Sequence, residues 1–587
     1  MKKIICLVLT ALTMSSSVAV FAKQDEMKTK DKNINKSINE KKNTQKEEFT
    51  YRVARYYNER SGLNPHAFIN DRNNEVMSRI YGKLLTYVLN DKGDGIQCIP
   101  YHAKDFPSNN EDFTVWTFEL RDDLKFSDGT PITAHTYEYS YKMLLDPILK
   151  NYKFSILADD LNIKNAASYF SGACEWDDVG IKVIEGNKLQ ITLEKPLSKS
   201  EFQNVFAESV ATSPVNPKIY EKCFSYDRME NNYGMDIEKI SCSGPYFIEK
   251  WIPKESIRYV KSHNDVLGEL YKVDVIEETL CNNQIEANQL FHEDKIDHIK
   301  IFSKKYFDYS KEKNVYKEDV ECIWTMFVNM DSKDNPILNN KDFRTALFYG
   351  VDREAITKDV LGGSTPAPYF IPKGVYVDTE REYRETKEAK KIVPENYGHD
   401  KKKAKKAFDK AYKDNGNKKV TVTLKYTDSS DDIESISKYL EKSYEELFGK
   451  DKFNLELEPL PFITVYENME SENYDLAIGA WRGSAFSPWK DMQVYTSDYP
   501  AKLDTLRNKE FDKLQEKATS GDLVCKEKER FDALVRMEEI LYEQMPFIPV
   551  YQGQQINIYS DEIELKGKKV FPFVGPGVLQ SEIKNRI

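Results

Sequence analysis

Histidine is scarce in this chain, with seven in 587 residues at positions 66, 102, 135, 263, 292, 298 and 399. Only His292 and His298 lie near one another, and a six-residue spacing puts them on no common helix face, so no metal site is expected. Cysteine is equally thin. Cys6 sits in the apolar start, and Cys98, Cys174, Cys223, Cys242, Cys281, Cys322 and Cys525 are odd in number, widely spaced and free of any Cys-x-x-Cys pair. Such a set makes no disulfide framework. Beyond the first two dozen residues no apolar run could span a bilayer, which excludes a polytopic membrane protein. Charge of one sign is not concentrated either: 85 basic and 96 acidic residues interleave to a net −11, so no nucleic-acid partner is expected. Nucleophile elbows, His-Glu-x-x-His and phosphate loops are also missing, so no catalytic residue and no cofactor are assigned.

What is present begins at the amino terminus. Lys2 and Lys3 precede the apolar run Ile4–Met14, a serine triplet and Val20-Phe21-Ala22. This pattern reads as a secretory signal over residues 1–22, cleaved after Ala22. Lys3-Ile4-Ile5 before Cys6 is a poor lipid-attachment box, so an exported protein without a lipid anchor is expected. Residues 23–48 hold only Met27, Ile34 and Ile38 as large apolar side chains. Too little surface could be buried there to offset chain entropy, and a disordered tether is predicted. The remainder is too long for one core and should fold as two or three units.

From about residue 400 the periodicities predict alternating helices and strands. A helix carries Ala404, Ala407, Phe408 and Ala411 on one face, a strand runs 420–426, and a second helix carries Ile433, Ile436, Leu440 and Leu447. A strand at 453–457, a short helix near 463–469 and a strand at 474–480 follow. This order implies a parallel α/β sheet whose ligands sit outside the carboxyl ends of the strands. Trp481 stands at one such end, followed by Arg482, Gly483 and Ser484. Earlier stretches, 111–126 with a turn at Ser127-Asp128-Gly129 and 180–194 turning at Glu185-Gly186-Asn187, alternate as antiparallel β structure. Two units with separate sheets are therefore expected.

Several segments, taken in order, resemble the extracellular solute-binding proteins of peptide and nickel import systems, the family 5 type. They are WTFELRDDLKFSDGTPITAHTYEYSYKMLLDP (116–147), Asp178–Lys182, Ser243-Gly244-Pro245-Tyr246 before Trp251, Asn329, FRTALFYGVDREAI (343–356), Tyr474–Trp481 and MPFIPVY (545–551). The resemblance runs from about Tyr51 to the carboxyl end. It implies an α/β fold, a type II periplasmic-binding-protein clamp of two lobes with an extra small α+β domain on the first. By analogy, lobe I comprises 49–95, 185–275 and 518–587, the extra domain 96–184, and lobe III 276–517. Asp128 reads as a turn residue, and Arg344, Asp352 and Arg353 read as salt-bridge or capping residues.

The implied function is capture of an oligopeptide by its main chain in a closing cleft, and delivery to membrane permease subunits of an ABC-type importer by a monomeric, extracytoplasmic protein. Trp481 and Phe462 would wall the ligand, beside Ile478, Arg482, Gly483 and Ser484. Peptide binders of this type have an aspartate where Ser484 stands, and some have arginines where Ile478 and Met469 stand. An ammonium entering a closed cleft without a counter-charge loses several kcal/mol of hydration; a serine hydroxyl returns only about 0.5–1.5 kcal/mol. Three alternatives therefore stay open: a peptide anchored elsewhere, a ligand without a free amine such as a modified peptide or oligosaccharide, and a sensing or adhesion role. An exported enzyme is the rival class.

Overall fold

The computed structural model describes residues 48–56, 62–67, 74–262, 265–301, 309, 311–378, 380–482, 485–499, 506–567, 569–571 and 574–583, the side chains of 56, 74, 75, 321, 481, 482 and 490 excepted. The predicted signal and all of the tether but Glu48 lie outside them. Two lobes are joined by one hydrogen-bonded ladder, and a small domain sits on the first.

The first lobe is built on strand β1 (Thr50–Tyr56), with β2 (Tyr246–Ile252), β3 (Ser256–Lys261), β4 (Val275–Cys281) and β5 (His298–Ile301). β1 runs parallel to both β4 and β5, while β3 pairs antiparallel with β2 and β4. Tyr51, Val53, Ile80, Tyr246, Tyr259 and Ile276 fill its core.

The small domain holds a separate antiparallel sheet in which Val115–Glu119 pairs with Lys188–Thr192, and that strand with Ile181–Ile184. Trp116, fully buried, stacks on Phe202 of helix α1 (Lys199–Glu208) with centroids 4.2 Å apart. The expected hairpin at 185–187 is present, turned by Gly186 and Asn187 at φ +81° and +57°. Asp128 accepts from the Thr130 amide and hydroxyl, so it is a turn residue, with Gly129 at φ +82°. A single core runs from Leu84 to Ala211 and takes in Tyr376, Ala485, Phe486 and Phe571. The sequence-drawn boundaries at 96 and 185 would cut through it, because the 188–192 strand cannot leave its partner at 115–119.

In the second lobe, strands β6 (Asn314–Val328), β7 (Val420–Thr427), β8 (Phe453–Leu460), β9 (Leu476–Arg482) and β10 (Phe547–Tyr559) alternate with helices α2 (Lys401–Asp414), α3 (Asp431–Phe448), α4 (Phe462–Glu470) and α5 (Glu527–Gln544). β7 is parallel to β8 and β9, as the periodicities imply. The sheet is nevertheless mixed, because β9 pairs antiparallel with β6, and β6 with β10. One face packs on α2 and α3 around Phe408, Ile436 and Leu440; the other packs on α4 and α5 around Val465, Leu534 and Met537. Residues 276–301, drawn by analogy into this lobe, instead extend the first lobe's sheet through β4 and β5. Helix α5, drawn into the first lobe, shares a core with α4.

Two buried arginines, Arg344 and Arg353, lock the second lobe by bonding carbonyls rather than acids. Arg344 donates to Leu338, Gln544 and Met545, closing the end of α5, and Arg353 donates to Pro549, Phe348 and Tyr397. Asp352 caps the turn that follows it through the Ala355 amide.

The two lobes meet where β6 and β10 cross. Asn314–Asp319 pairs with Gln554–Tyr559 on the first-lobe side and Ile323–Phe327 with Phe547–Gln552 on the other, with a register shift between. Val320 to Cys322 thus bulge against Gly553. Gln552, fully buried, secures the bulge: its amide donates to the Val320 and Lys373 carbonyls at 2.8 and 2.9 Å, and its oxygen accepts from the Tyr369 hydroxyl and the Lys373 amide. Gln552→Leu strands these partners without water, and each orphaned buried group costs about 1–3 kcal/mol. A urea-unfolding loss above ~2 kcal/mol is expected; an unchanged midpoint would show that the bulge needs no such tie.

Candidate functional site

The carboxyl ends of β7, β8 and β9 all point to the edge where β6 and β10 leave the second lobe. Thr427 pairs with Leu460, Lys425 with Ala477, and Trp481 with Ile323 at the bulge itself. The strand extends to Arg482, so the Trp481 backbone lies inside the ladder rather than after it. The Trp481 and Arg482 side chains, with Gly483 and Ser484, lie outside the described residues.

Phe462 opens α4 directly after β8. It is half-buried, its ring is 5.0 Å from that of Tyr466, and its neighbour Ile463 is exposed. The Tyr466 hydroxyl accepts from the Ala480 amide at 3.4 Å, and burial pushes its phenol up to about 12. This contact ties the start of α4 to the end of β9. Ile478 is placed differently from its expected role: it is 4% exposed and belongs to the core cluster on the α2–α3 face. Met469 is fully buried against the other face. Strand and helix periodicity turns both positions inward, so the missing arginines are replaced by packing rather than by another polar group.

Just beyond the undescribed pair, residues 485–487 bridge to the small domain. Phe486 stacks on Tyr87 with centroids 4.7 Å apart and planes 3° from parallel, and its carbonyl accepts from the Asn204 amide. Ser487 donates to Glu201 at 3.2 Å. Glu201 also pairs at 2.7 Å with Arg530 of α5, which donates to Ser198 at 3.0 Å and lies 3.8 Å from the Trp489 ring. Sequence reasoning missed this bridge and the crossing strands. The signal for the latter was β6, fifteen residues of strand with no glycine or proline inside.

Metal chemistry finds no framework here. His298 spends its ring nitrogens on Tyr51 and Asn557, and among the described residues no three His, Cys, Asp or Glu side chains gather as metal ligands. Cys98, Cys174, Cys223, Cys242, Cys281 and Cys525 are free thiols. No helix among the described residues is long and apolar enough to cross a membrane.

The model of the bacterial extracellular solute-binding proteins, family 5, middle region, matches residues 97–502. The chain belongs to this family. Family 5 proteins are solute-binding proteins rather than enzymes, and this member has the two-lobed α/β fold of its solved relatives. The oligopeptide-binding protein OppA of Bacillus subtilis is 24% identical over 452 residues, covering 75% of this chain and 77% of its own. Among solved structures, the MppA periplasmic murein tripeptide binding protein in an unliganded open form superposes with a TM-score of 0.73 at 22% identity, covering 92% of this chain and 98% of its own. Listeria monocytogenes OppA bound to peptide gives 0.62 at 21% identity, covering 92% and 100%.

Glu201→Ala in this family 5 protein would leave the Arg530 guanidinium, only 2% exposed, without its carboxylate. Breaking a buried pair from one side costs about 3–5 kcal/mol. The drop should appear in urea unfolding; a variant as stable as wild type would show that the bridge adds nothing.

Proposed function

We propose that this protein is the exported substrate-binding component of an ABC-type importer, taking oligopeptides by their main chain between the lobes and handing them to permease subunits in the membrane. The observation that carries the proposal is the placement of Trp481. Its backbone sits at the bulge where two strands cross between lobes, at the carboxyl edge of three others. A peptide laid along that edge adds a strand, and main-chain bonds bind it with little demand on side-chain identity. The relatives named for dipeptides, oligopeptides and murein peptides support the ligand class.

In this proposal Trp481 and Phe462 supply flat apolar walls, Gly483 lets the ligand backbone approach, and Arg482 and Ser484 line the path. Ile478 and Met469 do not reach it. With no arginine at those two positions and serine at 484, a free ligand terminus is not clamped in the manner seen from sequence in the peptide binders. Affinity should therefore depend on main-chain contacts more than on the charged ends.

Calorimetry with a peptide recovered from the purified protein tests this. Trp481→Ala should weaken binding by about 1–3 kcal/mol with folding stability kept, as for an aromatic anchor; lost stability with kept affinity makes Trp481 a core residue. Ser484→Asp should favour peptides with a free amino end over their acetylated forms. An unchanged ratio would mean that the amino end does not pass residue 484.

A further inference from the structure

The interleaved charges of the sequence do not stay interleaved in the fold. Helix α2 buries Ala404, Ala407, Phe408 and Ala411, and this periodicity gathers Lys401, Lys402, Lys403, Lys405, Lys406, Lys410 and Lys413 on its exposed side. Against these seven lysines the helix has only Asp409 and Asp414, a local excess of five positive charges in a chain whose net charge is −11.

The arrangement works against the helix itself. Lys401 and Lys405, Lys402 and Lys406, and Lys406 and Lys410 are like-charge neighbours at four-residue spacing, each pair mildly destabilising. Three lysines occupy the first turn, where the helix dipole favours anions, and the one acid at that end is the N-cap Asp400, which accepts from the Lys403 amide. The fold compensates little of this. Lys410 pairs with Asp342 at 2.6 Å, Lys403 lies 3.7 Å from the Tyr349 ring, and Asp409 is drawn to Lys452 at 3.5 Å. Lys402, Lys405, Lys406 and Lys413 have no carboxylate at ion-pair distance among the described residues, and with Asp409 and Lys410 they line one shallow groove. A local rule broken without internal compensation points outward, to a partner.

The chemistry of the face narrows that partner. Its charges are ammonium groups, compact and strongly hydrated, without the planar fork that arginine offers for bidentate recognition. The aromatic beside these lysines on α2, Tyr412, is partly buried against the core, and α2 carries no exposed large apolar side chain, so neither insertion into a bilayer nor base stacking nor a buried protein hot spot is served. An extended helix side about 21 Å long carrying hydrated positive charge complements a broad, flat field of negative charge. We propose that the lysine face of α2 docks electrostatically on an anionic lipid headgroup surface, holding the second lobe against the membrane. None of the inter-lobe contacts among the described residues involves this face, so the docking is independent of which ligand the cleft takes.

Flotation of the purified exported chain with vesicles tests it. Vesicles of phosphatidylcholine and phosphatidylglycerol in equal parts should carry the protein up at low ionic strength and release it near ~0.5 M salt, where charges are screened within a few ångströms. Pure phosphatidylcholine should not carry it. The triple variant Lys402→Gln, Lys405→Gln, Lys406→Gln should bind about a hundredfold more weakly, about fivefold per lysine, with an unchanged or higher melting temperature. The matching Lys→Arg triple should bind like wild type. The proposal is overturned if the Gln triple binds as tightly as wild type, which would place the attraction in the lysines of residues 23–46. It is equally overturned if binding ignores salt or the phosphatidylglycerol, or if the wild type binds neither vesicle.

Discussion

The structure depends on the pairing of β6 with β10. These two antiparallel strands carry the chain between the lobes, and each contributes hydrogen bonds to both halves of one ladder. Their pairing slips at Val320–Cys322 and again between Trp324 and Thr325; the first and larger slip is a bulge that gives the ladder a place to bend without losing its partners on either side. Two strands can flex together there yet cannot slide, because the register on each side is held by buried faces. In the proposed function this bend is the hinge about which the lobes would close.

Everything attributed to the cleft follows from where that bend lies. Parallel strands deliver their carboxyl ends to one edge, and β9 brings residue 481 to the bulge. The chain beyond it then meets the small domain through Phe486 and Ser487. Opposing contacts cross the same boundary: the Phe486–Tyr87 stack and the Arg530–Glu201 pair, both away from solvent. Ligand contacts must act against or with these to shift the balance between arrangements of the lobes. A ligand with equal affinity for both arrangements would shift nothing, which is why the placement of the proposed site at the junction matters more than the identity of any one lining residue.

The helices and strands after residue 400 were legible because each carries a clean apolar face: Ala404 to Ala411, Ile433 to Leu440, and Val420 to Leu424 all lie where the periodicity puts them. The mixed character of the sheet was not legible, since β6 and β10 reach it from remote parts of the chain and local pattern says nothing of a partner more than two hundred residues away. The same holds for the boundaries at 96, 185, 276 and 518, which analogy placed without knowledge of the Trp116–Phe202 stack or of β4 beside β1. Ile478 shows a different limit. The resemblance singled it out as a position to inspect, and only the sheet reveals that its side of the strand is the core. Nor could composition disclose the lysine face, because interleaving in sequence becomes segregation once a helix winds at 3.6 residues per turn.

The central claim is that two halves, linked through a pair of bent strands, come together on a ligand held between them. Small-angle X-ray scattering of the protein stripped of ligand and then saturated with a peptide it retains tests this most directly. The account predicts a smaller radius of gyration on saturation, with the unfolding transition moved upward at the same time. A peptide that binds tightly while the radius of gyration stays constant would contradict it.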